Sequence, residues 1–184
     1  MKATGIVRRI DELGRVVIPK EIRRTLRIRE GDPLEIFVDR EGGVILKKYS
    51  PIGELGDFAR EYAESIHQSV SHSAVICDKD TVIAVSGAGK KELMDKPISQ
   101  SVEELMQNRG RYTASAAEGS AMINITTDDD ASRYTAQMIL PILASGDSVG
   151  AVILISREPG ASISQADAKV CETAAGFMGK QLEN

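Results

Sequence analysis

Residues 4–24 constrain the fold more than any other stretch of this chain. They hold an apolar segment (Ile6, Val7, Ile10), a turn at Asp11-Glu12-Leu13-Gly14, a second apolar segment (Val16, Val17, Ile18), Pro19 and a short basic helix from Lys20 onward. Two strands, a glycine turn and a proline-initiated helix in so short a run cannot bury much apolar surface by themselves. Arginine recurs on each of these elements: Arg8 and Arg9 on the first, Arg15 at the turn, Arg23 and Arg24 on the helix. With no large core to serve, these guanidinium groups imply an anionic partner.

Charge divides the chain in two. Residues 1–50 carry twelve Lys and Arg against eight Asp and Glu, a net of +4, whereas residues 51–184 carry eleven against nineteen, a net of −8. The overall −4 therefore hides a basic head on an acidic body, as expected if one end meets a polyanion and the other stays off it. A boundary near Tyr49-Ser50-Pro51, giving domains 1–50 and 51–184, suits the length. No apolar run reaches the roughly 20 residues of a membrane span, and no signal-peptide pattern is read at the start. Cys77 and Cys171 lie in apolar stretches without metal-ligand spacing, so they read as buried free thiols in a reducing cytoplasm. Asn124-Ile125-Thr126 matches a glycosylation acceptor only by accident, given no secretory signal.

The rest of the head reads as a hairpin. Leu34, Ile36 and Val38 alternate with Glu35, Phe37 and Asp39, the period of a half-buried strand; Arg40-Glu41-Gly42-Gly43 turns the chain, and Val44, Ile45 and Leu46 return. Such a head has no disulfide or metal and would be marginal as a monomer. The economical solution is an obligate dimer in which hairpins from two chains complete one barrel.

The run 4–24, followed by Leu26-Arg27-Ile28-Arg29-Glu30-Gly31-Asp32 and Leu46-Lys47-Lys48-Tyr49, resembles the AbrB family of swapped-hairpin transition-state regulators almost continuously over residues 1–50. The resemblance implies a dimeric swapped-hairpin β-barrel that binds double-stranded DNA through arginines of the first strand, the following turn and the short helix. Carried over by motif, these are Arg8, Arg9, Arg15, Arg23 and Arg24. With the further C-terminal domain, the resemblance implies a transcription regulator of sporulation genes, activator or repressor. Guanidinium groups suit the role: they grip phosphates bidentately and reach guanine O6 and N7. A barrel with flexible loops would favour deformable DNA shape over a strict base code. Arg27 and Arg29 lie past the helix and read as solvated surface; Lys47 and Lys48 read equally well as edge-strand solubilising charges. Swapped-hairpin antitoxins follow a similar head with a disordered, toxin-binding tail, and an antitoxin-like protein-binding regulator is the second reading. This chain departs from it, since residues 51–184 are not a polar tail.

Residues 51–184 read as a folded sensory or oligomerisation module. Leu55, Ala59, Tyr62 and Ile66 step as the seam of a helix paired with another helix. Strands are expected at 72–77, 81–85, 112–116, 121–125, 134–143 and 149–156. A helix is expected from a capping-box start at Ser101 to about Arg109, and a last helix from Ser164-Gln165-Ala166-Asp167, with Ala168, Cys171, Ala174, Ala175, Met178 and Leu182 on one side. Helices at both ends of a mostly antiparallel sheet are similar to a GAF domain. The whole is thus α+β: a swapped-hairpin barrel followed by a GAF-like domain, dimeric through the head and tetrameric through the body. The body either senses a small molecule of unknown identity or clamps the oligomer.

Catalytic signals fail. Gly87-Ala88-Gly89-Lys90-Lys91 lacks the first glycine of a phosphate loop, where Ala84 stands, and its Ser/Thr, where Lys91 stands, so it reads as a strand-to-helix turn. Asp128-Asp129-Asp130 lacks further spaced oxygen ligands and reads as an exposed loop. His67 and His72 have no metal-binding companions, and no Ser-His-Asp set can be nominated. Neither enzyme chemistry nor a cofactor or metal is expected; a hydrolase using a GAF-like pocket is the remotest reading.

Overall fold

The computed structural model describes residues 4–50, 52 and 56–183, and the chain separates into two compact units, Met1–Tyr49 and Ser50–Asn184. Pro51 and Leu55, named above at the boundary and in the helix seam, lie outside the described residues.

In the first unit Pro19, at φ −58°, sets the entry of α1 (Lys20–Thr25), a helix with no buried residue. β1 (Leu34–Val38) and β2 (Val44–Lys48) pair antiparallel, Leu34 opposite Lys48 and Val38 opposite Val44. Asp39 closes their turn by accepting from the Glu41 and Gly43 N–H groups at 3.0 and 2.7 Å. The hairpin is the expected one. The strands expected around Ile6–Ile10 and Val16–Ile18 are not formed: the turn between them is, but neither segment joins a sheet. A strand needs a neighbour for its backbone groups, and one chain supplies none here. None of residues 4–50 is buried, and thirteen of its large apolar side chains stay exposed, from Phe37 at 37% to Val7 at 84%. Among the described residues the second unit exposes two, Leu143 and Phe177. Residues 4–50, as one chain, present an apolar surface and no buried core.

The second unit is built on a five-stranded antiparallel sheet ordered β4-β3-β7-β6-β5, from β3 (Ser73–Asp78), β4 (Val82–Ser86), β5 (Tyr112–Ser115), β6 (Ala136–Ala144) and β7 (Asp147–Ser156). Side chains alternate across it. Ala74, Ile76, Met138, Val152 and Leu154 meet α2 (Gly56–Val70) and α5 (Gln165–Gln181) on one face. Val75, Cys77, Ile139, Ala151, Ile153 and Ile155 meet α3 (Lys90–Leu93), α4 (Gln100–Gln107) and the irregular segment at Ile125 on the other. Both faces are covered, so the central strands read as unbroken apolar runs. Each fully buried Ile, Leu or Met there is worth about 1.5–3 kcal/mol.

Three expectations are corrected. Residues 121–125 are not a strand; the Gln137 side chain, fully buried, takes a strand's place by accepting from Ile123 N at 3.0 Å and donating to Ile123 O at 2.8 Å. The cap of α4 is Ser99, whose Oγ accepts from Val102 N at 3.2 Å, and Ser101 lies inside the helix. Asp129 is not part of an exposed loop: its side chain is 1% exposed and accepts from Ile125 N at 2.8 Å and Tyr134 Oη at 2.7 Å. Ser164 and Asp167 do form the expected capping box of α5, with Ala168, Cys171, Ala174, Ala175 and Met178 on its buried side. In the α2 seam Ala59 and Ile66 are buried, and half-buried Tyr62 stacks with Phe58 and Phe177 at centroid distances of 5.3 and 5.8 Å.

Candidate nucleic-acid interface

The five sequence-nominated arginines occupy three separate local elements of the first unit. Arg8 and Arg9 are exposed on the segment entering the turn, and Arg8 Nη1 donates to the Val7 carbonyl at 3.0 Å. Arg15 leaves the turn with a side chain 70% exposed. Arg23 and Arg24 fall in the last turn of α1, where cations complement the partial negative charge of a helix end. Arg24 is exposed; Arg23 is half-buried, its Nε enclosed and without a hydrogen-bond partner among the described residues. No hydrogen bond or ion pair joins the three groups among the described residues.

The turn is the best-fixed part of this surface. Gly14 N donates to the Asp11 carbonyl at 2.9 Å and Asp11 N to the Arg15 carbonyl at 3.0 Å. Gly14 sits at φ +75°, which glycine adopts without strain. Asp11 Oδ1 accepts from Leu13 N at 3.0 Å and Arg15 N at 2.8 Å, while Oδ2 accepts from Arg15 Nε at 2.7 Å. The Arg15 backbone N–H and then its side chain hold the Asp11 carboxyl below its ordinary value. Asp11 entered the sequence reading only as a turn residue. Its spacing from Arg15 in Asp11-Glu12-Leu13-Gly14-Arg15, an Asx-turn former followed by a basic residue, is the signal that could have found it.

The two lysines are engaged locally. Lys47 Nζ lies 4.8 Å from the Phe37 ring centroid, and Lys48 Nζ reaches Asp32 at 3.3 Å and the Arg27 carbonyl at 3.1 Å. Burial alone would raise the Asp32 carboxyl, but the Arg29 N–H and Lys48 outweigh it and leave it lowered.

Grooves also run over the second unit. One, about 400 Å³, runs between α2 and α5 past Tyr62, Ile66, Ser69, Lys169 and Thr173; another, about 540 Å³, lies against β4 past Asp57, Arg60, Ile83, Lys90 and Met94. Sequence reasoning also missed a charged network in which Arg157 and Arg133 converge on Glu92 Oε2 at 2.6 and 3.1 Å. Gly89, at φ +86°, opens α3, so the glycine-lysine run is the expected strand-to-helix turn. Among the described residues no group of three or more His, Cys, Asp or Glu could hold a metal ion.

The chain is 56% identical to stage V sporulation protein T of Bacillus subtilis over 183 residues, which cover 100% of this chain and 99% of that protein. The chain belongs to the stage V sporulation protein T family. The family model described as "Stage V sporulation protein T C-terminal, transcription factor" matches residues 54–183, and one described as "Antidote-toxin recognition MazE, bacterial antitoxin" matches residues 7–54. The head is 71% identical over 51 residues to the transition state regulatory protein AbrB of Bacillus subtilis, a match covering 28% of this chain and 52% of that protein. The second unit has the fold of the GAF domain from an Acinetobacter phosphoenolpyruvate-protein phosphotransferase, with a TM-score of 0.57 at 12% identity over 74% of this chain and 84% of that one. The stage V sporulation protein T family chain is thus α+β, an AbrB-like head joined to a GAF-like module.

Proposed function

We propose that this chain is a DNA-binding regulator of sporulation-gene transcription, its head (1–50) meeting double-stranded DNA through Arg8, Arg9, Arg15, Arg23 and Arg24, and its module (51–184) either sensing a small molecule or assembling the protein into a tetramer. The observation that carries the reading is the head itself: basic, without a buried residue, and exposing thirteen large apolar side chains. Such a surface asks for a second copy of itself before it can present arginines to a polyanion, and two chains joining their unpaired segments 6–10 and 16–18 would make one barrel. Full-length similarity to a sporulation protein supports the biological setting. Phe177, 43% exposed beside the half-buried Phe58 and Tyr62 rings on the α2–α5 pair, offers an apolar spot for a second contact, which supports a tetramer. A regulator that meets chromosomal DNA would act in the cytoplasm, and no helix among the described residues is long and apolar enough to cross a membrane.

Binding to duplex DNA across a salt series tests the proposal. With about four to eight phosphate contacts per dimer, log K against log salt should slope by roughly −4 to −7. A flat dependence would sink it. The antitoxin match over residues 7–54 supports one competing reading, a protein-binding regulator; a second small protein that co-purifies in fixed ratio and abolishes DNA binding would favour it.

A further inference from the structure

We propose that Asp11 is a specificity-determining positioning residue of the DNA surface, holding the Arg15 guanidinium by its Nε so that both terminal nitrogens face a base edge. The inference rests on the DNA reading above. It starts from a single carboxylate that grips one residue at both ends. Oδ1 is fixed by two backbone N–H groups, Leu13 at 3.0 Å and Arg15 at 2.8 Å, so Oδ2 is a fixed point in the turn and not a drifting surface charge. From that point Oδ2 accepts Arg15 Nε at 2.7 Å. Bonding at Nε leaves the terminal nitrogens of the fork free, and neither has a partner among the described residues. A guanidinium aimed this way presents the two parallel donors that match guanine O6 and N7.

The turn accounts for the two bonds to Oδ1, but ion-pair stability does not account for the Oδ2–Nε contact. The pair is 70% and 40% exposed, a setting in which ion pairs contribute little to folding. A carboxylate on a surface meant for phosphates also weakens binding by repulsion, so its presence there calls for a compensating role. Pre-orientation supplies one: an arginine free in solution loses much rotamer freedom on docking, and Asp11 has removed that loss beforehand. Of the five arginines, Arg15 alone has its guanidinium on a carboxylate among the described residues; Arg8 bonds only its neighbour's carbonyl.

Asp11→Asn in the full chain separates the roles. Asparagine keeps Oδ1 as acceptor for the two backbone N–H groups but replaces Oδ2 by an NH2 that cannot accept from Nε. Two probes are used: a duplex enriched by the wild-type protein from a random-sequence pool, and the same duplex with its sequence scrambled. Affinity for the enriched duplex should fall roughly tenfold while affinity for the scrambled one rises about twofold, and thermal melting should stay as in wild type. Arg15→Lys, which keeps the charge but lacks the fork, should lose a similar factor on the enriched duplex only. The double variant should lose no more than either single one. Affinities that rise together on both duplexes would reduce Asp11 to a counter-charge, and affinities that fall together with lowered melting would reduce it to a turn brace. Additive losses in the double variant would also overturn the positioning role. A wild-type protein that binds neither duplex with salt dependence overturns the DNA reading itself, and this inference with it.

Discussion

Gly179, Gln137 and the head arginines show how much one position decides. On Gly179 of α5 an added Cβ would run into the Leu143 carbonyl, which is backbone and cannot swing aside. Gly179→Ala should therefore destabilise the module by about 2 kcal/mol or more, read as a lowered urea midpoint. Gln137→Leu should cost about 2 kcal/mol as well, since it strips the Ile123 N–H and carbonyl of their partner, and hydrogen exchange at Ile123 should accelerate. The sequence could not announce either role: Ala121 to Ile125 has a strand's apolar content, and nothing local says that a side chain will take the ladder's place. The head arginines stand out in the sequence because they repeat in a compact run, and their role is for mutation to test. Arg15→Ala and Arg23→Ala should each weaken DNA affinity roughly 5- to 100-fold, measured by gel shift, with unfolding midpoints little changed for Arg15, which is exposed. Unaltered affinity in both would remove these two residues from the interface.

Helix caps and strand registers set the elements, and they were read unevenly. β3, β4 and β7 fall within one or two residues of their expected bounds because long apolar runs between polar turns leave few choices of phase. The α4 cap was misplaced by two residues: Ser101 has Glu104 three residues on and mimics a capping box, but burying Val102 and Met106 fixes the start at Ser99. Ser99 Oγ also donates to the Asn124 carbonyl at 2.6 Å, a tertiary bond invisible in the sequence. At α5 the pattern and the fold agree, and Ser164→Ala should cost about 1 kcal/mol. Asp167 adds a pH signature. Burial would raise its carboxyl, yet Ser164 Oγ and N, together with His72, leave it below the ordinary 3.8. A carboxyl lowered by folding stabilises fully above that ordinary value, and the contribution drains away as pH falls through the folded-state value. Melting of the module should thus drop between about pH 5 and pH 2, with a shallower drop in Asp167→Asn. Equal slopes in the two proteins would assign the acid sensitivity elsewhere.

For the whole molecule, the two contact surfaces proposed above, one on each unit, lead to the expectation of a closed dimer of dimers. Sedimentation equilibrium should find a tetramer for the full chain and a DNA-binding dimer for residues 1–53, of lower affinity because linked heads gain effective concentration. A monomeric head would contradict the barrel, whereas a full-length dimer would remove only the tetramer. The change of charge near residue 50 is visible in the sequence, and the head's resemblance was legible from its arginine-glycine order; the unpaired state of segments 6–10 and 16–18 was not, because a sequence shows which segments are apolar without showing what will cover them. That uncovered apolar surface makes abundance a structural variable. A head finished only by a second molecule melts at a temperature that climbs with the logarithm of protein concentration. Calorimetry over about a hundredfold dilution should show the head transition sliding downward. On the proposed dimeric head, a newly made chain would stay silent until it met its twin, and the number of copies in the cell would set how much of the regulator could act.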